Sequence, residues 1–149
     1  MQTHFQIFYD NLVEAGQNIW LTATGVSMWP LITEGMKAEI APVRSTLPKK
    51  GDLLLIKRDN GLVVHRYWGI TYREGVPLVL TKGDTNIAFD PPIPLTMVRG
   101  QLLLLKNSAG DCRNLTRGWL CILGRILASS YPLACVWARF CRLILKLRK

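Results

Sequence analysis

Leu53-Leu-Leu-Ile-Lys57, the turn Asp59-Asn60-Gly61, and Leu62-Val-Val-His65-Arg-Tyr-Trp68 make up the stretch that decides the fold. Two short apolar runs flank residues that tolerate positive φ, which is the pattern of a β-hairpin. The same pattern continues outward. Ile19-Trp-Leu-Thr22 precedes the hairpin, Val76-Pro-Leu-Val-Leu-Thr81 comes after the turn Arg73-Glu74-Gly75, and Leu102-Leu-Leu-Leu-Lys106 closes the region. Together these runs predict a compact, mainly β domain of antiparallel strands over residues 18–107. Side chains alternate along a strand, so His65 shares a face with Val63 and Tyr67, while Val64, Arg66 and Trp68 take the other. Periodicity alone does not choose among the small barrels that would satisfy this pattern.

The two ends read differently. Phe5, Phe8, Tyr9, Leu12 and Val13 fall at helical spacing opposite Gln6, Asp10, Asn11 and Glu14, which predicts an amphipathic helix over residues 1–17. Asp10 and Glu14 break the charged-then-apolar order of a secretory signal. Residues 108–149 predict a helical tail in two pieces, Trp119 to Ala128 and a basic amphipathic helix after Ser129-Ser130-Tyr131-Pro132. In the second piece Leu133, Val136, Trp137, Phe140, Leu143, Ile144 and Leu147 form one stripe, with Arg139, Arg142, Lys146 and Lys149 opposite. Each piece is shorter than the roughly 20 residues of a spanning helix, so the tail is expected to lie on an anionic membrane through residues 118–149, or else to cover the β domain or a partner.

Charge obeys the same division. The chain carries a formal net charge of +9, and eight of its basic residues lie after Cys112 with no Asp or Glu among them. Before that point eleven Lys and Arg face ten Asp and Glu, so the β domain lacks the basic surface of a nucleic-acid binder. Cys112, Cys121, Cys135 and Cys141 all lie in the tail without paired C-x2-C spacing, and His4 and His65 are the only imidazoles. No metal or other cofactor is expected, and the cysteines read as reduced, small apolar residues.

One set of residues carries chemistry. Gly25-Val-Ser27-Met-Trp-Pro30, Val63-Val-His65-Arg66 and Lys82-Gly-Asp84-Thr-Asn86, with Asp90 six residues after Asp84, supply a hydroxyl, an imidazole and two carboxylates. A serine hydroxyl is a weak nucleophile until a base takes its proton, and that base works best when a carboxylate orients it. A strand fixes such a base more tightly than a loop would.

In wording and order these boxes resemble those of the type I signal peptidase family, over roughly Thr22 to Gly100. The histidine before Arg66 resembles the endoplasmic-reticulum and archaeal type, where the commoner bacterial enzymes carry a lysine. The resemblance implies a small coiled β domain, with Ser27 as nucleophile, His65 as general base, Asp90 as its acidic partner, and Asp84, Gly25 and Lys82 in support. Some members carry a serine at the position of Gly25, so the oxyanion hole here would rest mainly on the Ser27 N–H. Met28, Trp29 and Pro30 would form an apolar wall of the substrate cleft. The chain departs from the pattern at Gly35-Met36, where Gly-Asp is usual, and at Thr85-Asn86, where Asn-Asn is usual.

The resulting expectation is a serine endopeptidase, cytoplasmic or peripheral at the cytoplasmic membrane, that removes a leader or signal-like segment from a precursor peptide or protein. The alternative is a catalytically idle module that holds a precursor in the same cleft.

Overall fold

The computed structural model describes residues 16–43, 48–59 and 61–148. The helix expected over residues 1–17 lies, up to Ala15, outside the described residues. From Ile19 onward the described residues form an antiparallel sheet of seven strands: β1 (Ile19–Thr22), β2 (Lys37–Pro42), β3 (Leu53–Arg58), β4 (Gly61–Arg73), β5 (Val76–Lys82), β6 (Val98–Lys106) and β7 (Cys112–Asn114). The order across the sheet is β1-β2-β6-β3-β4-β5, with β7 paired to β6. Two helices, α1 (Gly118–Ser129) and α2 (Tyr131–Leu147), close the chain.

β3 explains the architecture. Leu53 and Leu55 point into a cluster with Met28, Ile40, Leu102 and Leu105. Leu54 and Ile56 point the other way, into a cluster with Tyr67, Val79 and Ile93. A strand buried on both faces needs a continuous apolar run and not an alternating one, and Leu-Leu-Leu-Ile is such a run. Its neighbour β4 is long enough to serve two partners. Residues Gly61–Arg66 pair with β3 and residues Arg66–Arg73 pair with β5. Register shifts at Glu39/Ile40, Leu55/Ile56 and Tyr67/Gly69 coil the sheet, because a bulged strand bends and twists more strongly than a regular one.

Both expected hairpins form. Arg58 pairs with Gly61, and Arg73 pairs with Val76 across Glu74 and Gly75, which both take positive φ (51° and 77°). Two strands escape the sequence reading. β2 alternates Ala38 and Ile40 inward with Lys37 and Glu39 outward, but its alanines and Pro42 carry little β propensity. β7 is three exposed residues and takes its place from pairing with β6.

The tail docks by its small residues. Ala128 and Ala134, at the junction of the two helices, pack on Trp68 with Leu80 and Phe89. Ala138 and Cys141 are also buried along α2. In α1 the backbone comes so close that a Cβ on Gly124 would overlap Arg66 Nη1, and one on Gly51 would lie 2.8 Å from the Arg125 N and Cα. Gly51 also holds φ at +99°. Gly51→Ala is therefore expected to cost about 1–3 kcal/mol, from backbone strain and from pushing α1 off the sheet. Equilibrium denaturation of the two proteins measures this, and an unchanged midpoint would mean that α1 is not held at this point.

No single helix among the described residues is long and apolar enough to cross a membrane. α1 and α2 pass that test only as a pair, and the pair is bent by 113°.

Candidate active site

His65 is positioned by β4, opposite Leu54 of β3, and its ring is almost wholly buried. Its Nδ1 lies 2.5 Å from Asp90 Oδ2. Thr81 Oγ1 donates to the same carboxylate oxygen at 2.8 Å, and Arg58 Nη2 stands 3.9 Å from it. The Asp90 N–H in turn donates to the Thr81 carbonyl, which ties the 83–90 loop back onto β5. Burial pushes the Asp90 carboxyl upward, but the hydrogen bond and charge of His65, the Thr81 hydroxyl and Arg58 together outweigh it and leave the group below the usual carboxylate range. An ionised carboxylate only accepts, so the proton of the neutral ring sits on Nδ1 and leaves the Nε2 lone pair for a substrate or nucleophile proton.

Nε2 faces Gly83. A Cβ there would stand 3.1 Å from Nε2 and 2.8 Å from Asn86 Nδ2, so a glycine is what lets the loop pass the imidazole this closely. The next turn of the loop holds the segment that carries Ser27. The Thr85 N–H donates to the Ser27 carbonyl at 3.0 Å, and Thr85 Oγ1 reaches the carbonyls of Val26 and Ser27 at 3.3 and 3.2 Å. Ser27 thus shares one loop with the face of His65 that carries the lone pair, although among the described residues its hydroxyl makes no hydrogen bond to the ring. In its contacts with Thr85, Ser27 engages through its carbonyl, and its N–H is not used.

A cavity of about 650 Å³ opens beside Ser27. Its walls are Trp20 to Gly25 on one side and Leu62 to Val64 on the other, over a floor that includes Met28, Ile32 and Leu102. Both walls present a backbone edge: β1 pairs only with β2, and the Gly61–His65 part of β4 pairs only with β3, among the described residues.

Asp84 does a different job. Arg66 clamps it through Nε (2.8 Å) and Nη2 (2.5 Å), while Arg66 Nη1 donates to the Gly51 carbonyl at 2.8 Å. Both side chains are buried. Asp90 thus stands on His65, as the resemblance implies, whereas the pairing of Asp84 with the Arg66 side chain was not expected from the sequence.

Three expected roles need correction. Trp29 and Pro30 do not line the cavity beside Ser27. The Ile32 N–H bonds back to the Met28 carbonyl, so this one-turn segment puts Met28 and Ile32 on the cavity side. Trp29 instead lies 5.9 Å beneath the Arg148 guanidinium, and Pro30 borders a second cavity between the sheet and the helices. Lys82 is 2 % exposed, but it leaves β5 on the face opposite Thr81, with Nζ 6.0 Å from the Trp68 ring. Burial lowers its pKa against the pull of Asp84, and its support is given to the helix-packing side of the strand and not to His65.

No family model, curated protein or solved structure matches this chain.

Several members of the site escaped the sequence reading. Thr81 is the residue before the Lys-Gly-Asp box, and strand alternation from Val79 places it on the same face, towards His65. Thr85 and Gly83 lie inside the box and act through hydroxyl, amide and missing Cβ, none of which composition reveals. Arg142 is the most distant: its Nε donates to the Thr85 carbonyl at 2.7 Å, so α2 braces the residue that holds Ser27.

Asp90→Asn should lower any hydrolytic rate by roughly 10²–10⁴-fold, because the amide no longer fixes the imidazole tautomer. Its stability effect has a definite sign. A carboxyl whose pKa is lowered on folding contributes stability above its unfolded value, about pH 4, and that contribution is lost as pH falls through the lowered folded value. The variant should therefore melt below the native protein at neutral pH, and the gap should close in acid. A gap that stayed constant to about pH 2 would remove Asp90 from this role.

Proposed function

We propose that the chain is a serine endopeptidase of signal-peptidase type, with Ser27 as nucleophile, His65 as base and Asp90 as the carboxylate that orients the base. The observation that carries this reading is the Asp90–His65 contact through Nδ1, with Nε2 turned to the loop that holds Ser27. In the proposed reaction Nε2 takes the Ser27 proton as Oγ attacks a peptide carbonyl, and the developing oxyanion takes up the Ser27 N–H. The protonated ring then passes its proton to the leaving amine, and water repeats the sequence on the acyl-enzyme. Asp90 remains ionised throughout and balances the imidazolium.

The cavity supports a peptide as the substrate. Two unpaired strand edges border it, and an extended chain between them would find main-chain donors and acceptors on both sides. Its apolar floor favours apolar side chains next to the scissile bond. The coiled antiparallel sheet, with the base on a strand and an arginine directly after it, agrees with the type of fold that the three boxes imply. A precursor carrying a leader or signal-like segment is the substrate class this reading assigns.

The test is direct. Native full-length protein is incubated with a fluorophosphonate and with candidate precursors, and mass spectrometry locates the adduct and any new termini. The reading predicts one adduct, at Ser27, absent from unfolded protein. Absence of both adduct and cleavage across a panel of precursors that the protein nevertheless binds would return the chain to an idle binding module.

A further inference from the structure

The second tail helix inverts ordinary packing over most of its length. α2 turns its small residues, Ala134, Ala138 and Cys141, to the domain and most of its large apolar ones outward, Trp137 and Ile144 being half-buried. Leu133, Val136, Phe140, Leu143 and Leu147 are 42–78 % exposed. α1 adds Trp119, Ile122 and Ile126, at 49–69 %. A contiguous helical face of this size and composition marks a contact surface, since solitary soluble domains seldom leave so much large apolar side chain in water.

Charge selects the occupant. Eight Lys and Arg lie after Cys112 without a single Asp or Glu, and Arg125, Arg139 and Lys146 are exposed on the helices that bear the apolar side chains. Apolar residues between long cationic side chains suit acyl chains beneath anionic headgroups, because Lys and Arg can lie along the apolar layer and keep their charges at the surface. Length selects the mode. At 1.5 Å per residue, α1 with 12 residues and α2 with 17 reach about 18 and 25 Å, short of the roughly 30 Å hydrocarbon core. The 113° bend between them rules out adding these lengths end to end.

We propose that the outward face of α1 and α2 is a docking surface for an anionic lipid bilayer, on which the pair lies in the interface plane without crossing it. The helices need not leave the domain to do so. The small face stays on Trp68 and the 83–90 loop, held by Tyr131 Oη to the Ile87 carbonyl (3.2 Å) and by Arg142 to the Thr85 carbonyl, while the large face enters the lipid. The inference is independent of the hydrolytic reading.

Full-length protein sedimented with vesicles of phosphatidylcholine containing phosphatidylglycerol, and with phosphatidylcholine alone, tests it. Binding should favour the anionic vesicles, and should fall several-fold when ionic strength rises from low to physiological. Phe140→Glu should weaken partition on the order of tenfold, since it removes one large side chain from the lipid. Ile122→Glu on α1 should act alike, so that two exposed positions guard against a folding artefact, checked by circular dichroism. Protein left in solution with anionic vesicles at low salt would overturn the proposal, as would native binding by both variants. A dimer that Phe140→Glu separates, without vesicle binding, would overturn it in favour of a second copy of the chain.

Discussion

Ser27→Ala is expected to lower hydrolysis by at least about 10⁴-fold while leaving the thermal midpoint within the range of a surface change. The activity side rests on chemistry: without Oγ no acyl-enzyme forms, and the remainder is whatever the Ser27 N–H and substrate binding provide for attack by water. The stability side rests on contacts. The segment is held by the Ser27 carbonyl to Thr85 and by Met28 in the core, and both survive loss of the hydroxyl. Adduct formation and precursor cleavage, measured beside a melting curve, separate the two. Persistent turnover in a folded Ser27→Ala protein would dismiss Ser27 and with it the serine mechanism.

Asp84→Asn should be the most damaging single change to the fold, at about 3–5 kcal/mol. The reason is not the worth of the ion pair itself. Removal of the carboxylate strands a buried guanidinium that holds Gly51 on one side and closely approaches Gly124 on the other. The penalty is that of an uncompensated charge, so Asp84→Asn combined with Arg66→Met should recover much of it. Denaturant titrations of the single and double variants decide this. A single variant as stable as the native protein would mean that water reaches the pair. Because Thr85 is next to Asp84 and holds Ser27, activity should fall along with stability, whereas Asp90→Asn should affect mainly the rate.

The strands that the sequence revealed are those whose burial is written in side-chain type. Leu53 to Ile56 and Leu62 to Trp68 are apolar or β-branched and aromatic over most of their length, and Gly61 and Gly75 mark the turns between strands. β2 stayed hidden because Ala38 and Ile40 offer only two inward residues, and β7 because it buries nothing. Within the site, His65 and Ser27 were legible as the reactive types in matching boxes. Thr81, Gly83 and Arg142 were not, since each acts through where its atoms fall and not through what it is.

The amino-acid sequence alone determined an antiparallel β domain, a cationic tail free of acids, and a serine, a histidine and two aspartates in one order. These are properties of residue type and local spacing, which no folding partner can alter. Tertiary structure alone decided which side of the tail is covered. Periodicity identifies an apolar stripe but does not say whether the stripe or its small-residue flank meets the domain, and here the tight approach at Gly51 and Trp68 admits only Gly124, Ala128 and Ala134. Tertiary structure also supplied the partner of Asp84. The resemblance already set Asp90 beside His65, but a buried Arg66 side chain must be neutralised where it emerges from β4. Asp84 is the carboxylate within its reach, which leaves Asp90 to His65.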